Sequence, residues 1–145
     1  MAKEKVLILC THNSVRSQIA EGLFRHLAQG RFEVKSAGIY PCMVNPYVKV
    51  VLGELGIDVS GQYSKSVLDF QNEKFDYVIT VCDGAKMRCP LFLKEAKKIH
   101  WPTTDPAFAK GSEEKILKEF RITRDKLKIL ITGFLKEEGE GNEKI

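Results

Sequence analysis

The chain has no long hydrophobic run. Its first apolar stretch, Val6–Cys10, is too short for a signal-peptide core or a membrane span, so the sequence predicts a cytoplasmic protein that touches no membrane. A basic block is missing too. The net charge is +4, but lysines and glutamates alternate along much of the chain, which argues against nucleic acid as a partner. No internal repeat or low-complexity linker marks a second domain. Cysteine is sparse, at four in 145 residues, and Cys82 and Cys89 are too far apart for the usual zinc spacing, with only His100 nearby. No metal is expected there. In a reducing compartment four thiols are buried, catalytic or redox-active and are not permanent staples.

What is present has an ordinary globular composition, 43% hydrophobic and 29% charged. A chain of this length folds as one domain, 1–145, burying roughly two thirds of its unfolded surface. Strand-length apolar runs alternate with segments of helical period. Lys5–Leu9 predicts a strand and Ser17–Gln29 a helix with Ile19, Ala20, Leu23, Phe24 and Leu27 inward. Phe32–Ala37 predicts a second strand and Gly38–Met43 a loop. Asn45 then caps a helix that opens on Pro46, buries Val48, Val51, Leu52 and Leu55, and stops at Gly56. Phe75–Val81 and Lys97–Trp101 predict the third and fourth strands. Ser112–Leu135 predicts a long helix, followed by a polar tail, 137–145, expected to fray. The alternation implies α/β architecture with a parallel sheet covered on both faces and ligands bound at the carboxyl ends of its strands.

At the first of those ends stands CTHNSVRS. Backbone N–H groups converge in a strand-to-helix loop, and the helix dipole favours negative charge, so the loop Thr11, His12, Asn13, Ser14, Val15, Arg16 and Ser17 suits a tetrahedral oxyanion. Arg16 adds a planar fork of donors. The same field would lower the pKa of Cys10, favouring the nucleophilic thiolate, and Ser17 could donate to it. Spacing alone is weak evidence, because four cysteines and six arginines yield a C-x5-R match about once in six chains. Cys82 and Arg88 show it as well. There, however, Asp83 would repel an anion and no serine follows the arginine.

If the first and third strands are neighbours, their ends lie ~5 Å apart, within reach of a Cys10–Cys82 disulfide. Cys82 and Cys89 would be separated by ~10 Å along a helix, so their pairing requires unwinding, which Gly84 and Pro90 ease. The residues alone leave two readings open for this pair, redox partners or small buried apolar side chains. Asp105 is likewise either a general acid at the carboxyl end of the sheet or an ordinary Asp-Pro turn or cap. His12 and His26 are assigned no catalytic role.

CTHNSVRSQ resembles the signature loop of low-molecular-weight tyrosine phosphatases and thioredoxin-coupled arsenate reductases, and the resemblance extends to about Lys136. The reductase branch is the nearer, through SAG at Ser36–Gly38, VNP at Val44–Pro46 and LGIDVS at Leu55–Ser60, and the phosphatases usually carry glycine in place of His12. The resemblance implies a three-layer sandwich, a four-stranded parallel sheet flanked by helices. It implies a nucleophile at Cys10, relay cysteines at Cys82 and Cys89, and a general acid at Asp105 within W-x-x-x-D-P. Ala107 and Phe108 follow where the phosphatases usually carry tyrosine, which argues against phosphotyrosine as main substrate. Cys42 has no counterpart and is expected to be structural or incidental. Some reductases bind potassium through positions matching Asn13, Glu21 and Ser36, but Lys65 replaces the expected aspartate, so no bound potassium is expected; Glu21 and Lys65 are either an internal ion pair or two solvated charges.

Three functions follow as expectations. In the first, a cytoplasmic, monomeric arsenate reductase works without cofactor and discharges its disulfide to thioredoxin or glutaredoxin. In the second, a tyrosine phosphatase uses Cys10, Arg16 and Asp105 alone. In the third, a non-catalytic oxyanion-binding or redox-sensing module keeps the loop and turns nothing over.

Overall fold

The structure, a computed structural model, describes residues 3–143. Four parallel strands, β1 (Glu4–Cys10), β2 (Phe32–Gly38), β3 (Tyr77–Thr80) and β4 (Lys97–His100), lie in the order β2-β1-β3-β4. The first and third strands are thus neighbours, with Leu9 opposite Thr80. The chain leaves β1 for one edge and returns past it to β3, so the β1/β3 boundary is the topological switch point, where open α/β sheets bind ligands. Cys10 ends β1 there, and Cys82 follows β3.

Central position explains composition. Val6, Leu7, Ile8 and Leu9 are fully buried because both faces of β1 are covered, which removes the usual alternation with polar residues. On one face lie α1 (Arg16–Ala28), α2 (Pro46–Gly53) and α4 (Glu113–Glu143). Phe134 of α4 meets Phe24 of α1, Phe32 and Tyr77 from the sheet, and Trp101 just beyond β4, with ring centroids 5.1–6.3 Å apart. Rings at tilted or edge-on angles gain about 0.5–1.5 kcal/mol each beyond their burial. Glu54 clamps α2 to α4 by accepting from Arg121 and Arg124 at 2.8 Å each. The other face carries α3 (Asp83–Met87) and two single 3-10 turns, Val67–Phe70 and Leu91–Leu93. Their ties are Lys98 donating to the Leu93 carbonyl and the Lys35 ammonium 5.5 Å from the Phe70 ring.

The elements match the expected order, with differences at their ends. The second helix stops at Gly53, three residues early, and Gly56 with φ +76° then turns the chain. The last helix runs to Glu143, past Leu135, so the tail expected to fray is helical as far as it is described; Lys144 and Ile145 lie outside the described residues. No helix among the described residues is long and apolar enough to cross a membrane.

Candidate active site at the carboxyl end of the sheet

Between β1 and α1 the backbone makes a closed turn, and its carbonyls show how it is held. Those of Cys10, Thr11 and His12 accept from the amides of Ile39, Tyr40 and Cys42 at 3.2, 2.7 and 3.3 Å. Those of Asn13, Ser14 and Val15 accept from Gln18 Nε2, the Asn45 amide and the Ile19 amide at 3.1, 3.0 and 2.9 Å. Six consecutive carbonyls are tied to surrounding structure. In a planar trans peptide the N–H points opposite to the C=O, so the amides from Thr11 to Arg16 face the middle of the loop. The turn requires φ +51° at position 13, which asparagine tolerates better than most side chains. Asn13 is fully buried and fixed on three sides, donating to Ser17 and Ser36 at 2.8 and 2.9 Å and accepting from the Lys65 amide at 2.9 Å.

Arg16 reaches over this cradle. Its Nη1 donates to the Thr103 carbonyl at 2.8 Å and its Nη2 lies 3.6 Å from Asp105 Oδ2, while Nε is buried without a hydrogen-bond partner among the described residues. Asp105 also accepts from the Ala107 amide at 2.9 Å, so the cap and the placement beside the site are both real. Arg16, Cys82, Asp83, Pro102, Thr103 and Thr104 line a pocket of about 310 Å³.

Beneath the cradle lie two buried thiols, Cys10 and Cys82. Thr11 Oγ1 lies 3.2 Å from Cys82 Sγ, and the Ala85 amide donates to that sulfur at 3.4 Å. The bond from Cys10, with these two partners, pulls Cys82 down to about 5, whereas the same bond and burial push Cys10 well up. The two thiols therefore titrate together as one pair, whose first proton leaves more readily than an ordinary thiol's.

Cys89 is half-buried, just beyond α3, and burial pushes its thiol up. The helix between Cys82 and Cys89 has five residues, shorter than expected, so less of it need unwind. Cys42 is exposed, its amide donating to the His12 carbonyl and to Ser64 Oγ at 3.1 Å. The second C-x5-R match is no cradle, because Arg88 caps the end of α3 and lies 5.8 Å from the Tyr40 ring.

Behind the loop, Glu21 and Lys65 are buried together, 1% and 8% exposed, so they are not two solvated surface charges. Lys65 Nζ is 3.7 Å from Glu21 Oε1, which also accepts from Ser36, and Arg25 takes the other oxygen at 2.6 Å. A potassium ion does not fit these residues, since an ammonium, a guanidinium and the Asn13 amide nitrogen already surround the oxygens. No cluster of metal-ligating side chains occurs among the described residues. Sequence reasoning missed Gln18, which braces the loop by donating to the Asn13 and Tyr63 carbonyls at 3.1 and 3.0 Å while Gln62 donates to it at 2.8 Å. Its place directly after Ser17 in the signature was the available signal.

Residues 5–143 match the family described as low molecular weight phosphotyrosine protein phosphatase. The chain belongs to that family. Within it, an arsenate reductase of Shouchella clausii is 39% identical over 141 residues, 97% of this chain and 100% of that protein. A solved arsenate reductase in the phosphate binding state superposes with a TM-score of 0.80 at 30% identity, over 92% of this chain and 98% of that one. Another, in an oxidized state, superposes with a TM-score of 0.79, also at 30% identity and over the same 92% and 98%. The family fold is the expected three-layer sandwich.

Proposed function

We propose that the protein is an arsenate reductase and that Cys10, Cys82 and Cys89 carry its electrons. The observation behind this reading is the side-chain contact between Cys10 and Cys82 under a cradle of inward amides. A phosphatase needs a nucleophile, an arginine and an acid. A second thiol touching the nucleophile is what a reductase adds.

Arsenate enters the cradle against the loop amides, Arg16 Nε and Arg16 Nη2. Cys10 attacks arsenic, passing its proton to Cys82 along their hydrogen bond, and Asp105 protonates the oxygen that leaves as water. Once Cys82 has lost that proton to solvent, its thiolate attacks the Cys10 sulfur. The sulfur–arsenic bond breaks with its electron pair on arsenic, so As(V) becomes As(III) and arsenite departs. Cys89 thiolate then attacks Cys82, freeing Cys10 as a thiolate, and the Cys82–Cys89 disulfide passes to the dithiol of thioredoxin or glutaredoxin. The chain does this as a cytoplasmic monomer, with no metal or cofactor of its own.

NADPH consumption with arsenate, thioredoxin and thioredoxin reductase, measured beside p-nitrophenyl phosphate hydrolysis, tests the reading. Cys10→Ser abolishes both activities and Cys82→Ser only the first. Arsenate turnover that survives Cys82→Ser overturns the relay; hydrolysis alone in the parent makes it a phosphatase, and neither activity makes it a binding module.

A further inference from the structure

On one side the Cys10 loop is held by residues 39–42, the strap that follows β2, and residue 12 is tied to this strap at two points. The first tie is made by backbone: the His12 carbonyl accepts from the Cys42 amide at 3.3 Å and from Ser64 Oγ at 3.0 Å. Any residue at position 12 offers that carbonyl. The second tie needs the side chain, because it is the ring Nδ1 that lies 3.0 Å from the Tyr40 carbonyl. No backbone N–H among the described residues reaches the Tyr40 carbonyl. The loop amides face the middle of the cradle and are turned away from the strap, and Pro41 has no N–H to offer. A side chain at position 12 is free of backbone strain, since the left-handed φ of the turn falls on Asn13.

We propose that His12 is a positioning residue of the oxyanion site, its imidazole supplying the strap with the donor that the inward-facing amides withhold. The proposal rests on the reading of the loop as an oxyanion cradle. The link from ring to anion runs through Tyr40, whose carbonyl takes the His12 proton while its amide donates to the Thr11 carbonyl at 2.7 Å. That Thr11 carbonyl shares one planar peptide with the His12 N–H, so the bond from Tyr40 turns the His12 N–H toward the centre of the loop. The ring of residue 12 thus steadies the aim of its own amide. A carbonyl only accepts, so Nδ1 must carry the proton, and the neutral ring is the Nδ1–H tautomer with Nε2 bare. His12 and Tyr40 are both exposed, so water competes for the bond, and its loss weakens anion binding about two- to tenfold.

Inorganic phosphate is the probe, its dissociation constant measured by calorimetry on the reduced full chain and on two variants. His12→Leu keeps bulk without a donor, whereas His12→Asn places Nδ2–H two bonds beyond Cβ, where Nδ1–H stands. His12→Leu should raise the constant about two- to tenfold and His12→Asn should restore it to within about twofold of the parent's. Long-range proton–nitrogen NMR of the parent at alkaline pH should show Nδ1 protonated. A merely structural role moves the melting temperatures and leaves the phosphate constants equal, which overturns the proposal. Equal weakening in both variants overturns it as well, because the donor is then not what matters, and so does a neutral ring protonated on Nε2. A parent that binds no phosphate overturns the cradle itself; a parent that binds while His12→Leu binds equally well spares the cradle and removes only the role of the ring.

Discussion

Arg16 and Asp105 face each other across the mouth of the Cys10 loop, Nη2 to Oδ2 at 3.6 Å, while the Thr103 carbonyl fixes the other terminal nitrogen at 2.8 Å. These contacts hold the guanidinium plane over the cradle, which a lysine cannot reproduce because it offers a single rotatable ammonium. Arg16→Lys should lower kcat/KM for arsenate about 10²- to 10³-fold with the circular dichroism spectrum unchanged. A loss below tenfold would mean that the fork is not what binds the anion.

The thiol pair makes a prediction about pH. Cys82, pulled down to about 5, contributes stability that is fully present above the ordinary thiol range near ~8.5 and is lost progressively as pH falls from there through 5. Cys10 is pushed up, so its contribution is present below the ordinary thiol range and is lost as pH rises above it. Thiolate absorbance at 240 nm should show one early ionisation in the parent. Cys10→Ala should move it toward the ordinary range by removing the thiol donor, and an unmoved midpoint would contradict the shared proton.

Lys65 should make the protein indifferent to potassium. Parent rates in potassium and sodium chloride at equal ionic strength are expected to coincide, whereas Lys65→Asp should acquire a melting temperature that rises with potassium alone. Lys65→Met leaves Glu21 with Arg25 and Ser36, so it should cost about 2 kcal/mol, less than the 3–5 of a fully orphaned buried charge. Potassium activation of the parent would refute the ammonium's role.

Gly38 is where β2 passes behind the loop. A Cβ there would lie 2.9 Å from the Asn13 amide nitrogen, the His12 carbonyl carbon and the Thr11 oxygen, all backbone atoms of a segment whose carbonyls are tethered outward. Gly38→Ala should therefore cost about 1–3 kcal/mol in urea unfolding and reduce activity further by displacing the cradle. A variant with parental stability and turnover would show the loop to be slack.

The strand–loop–helix around Cys10 was legible because its signals are local: an apolar run, loop residues at Asn13 and Ser14, and a helical period after Arg16. The β1/β3 adjacency could only be supposed until the sheet order was known. Contacts made across long sequence separations were not legible at all, such as Arg16 with the Thr103 carbonyl, Asn13 with the Lys65 amide, and Gln18 with Gln62. The last helix outruns its apolar pattern because residues after Leu135 need no buried face to continue one already anchored by Phe134.

The most direct measurement is a single turnover without any external reductant, mixing the fully reduced protein with one equivalent of arsenate and following arsenic speciation and protein mass together. One arsenite released per chain, a protein lighter by the mass of about two hydrogens, and a peptide map linking Cys82 to Cys89 are expected. Arsenate recovered unchanged with the three thiols still free would contradict the relay.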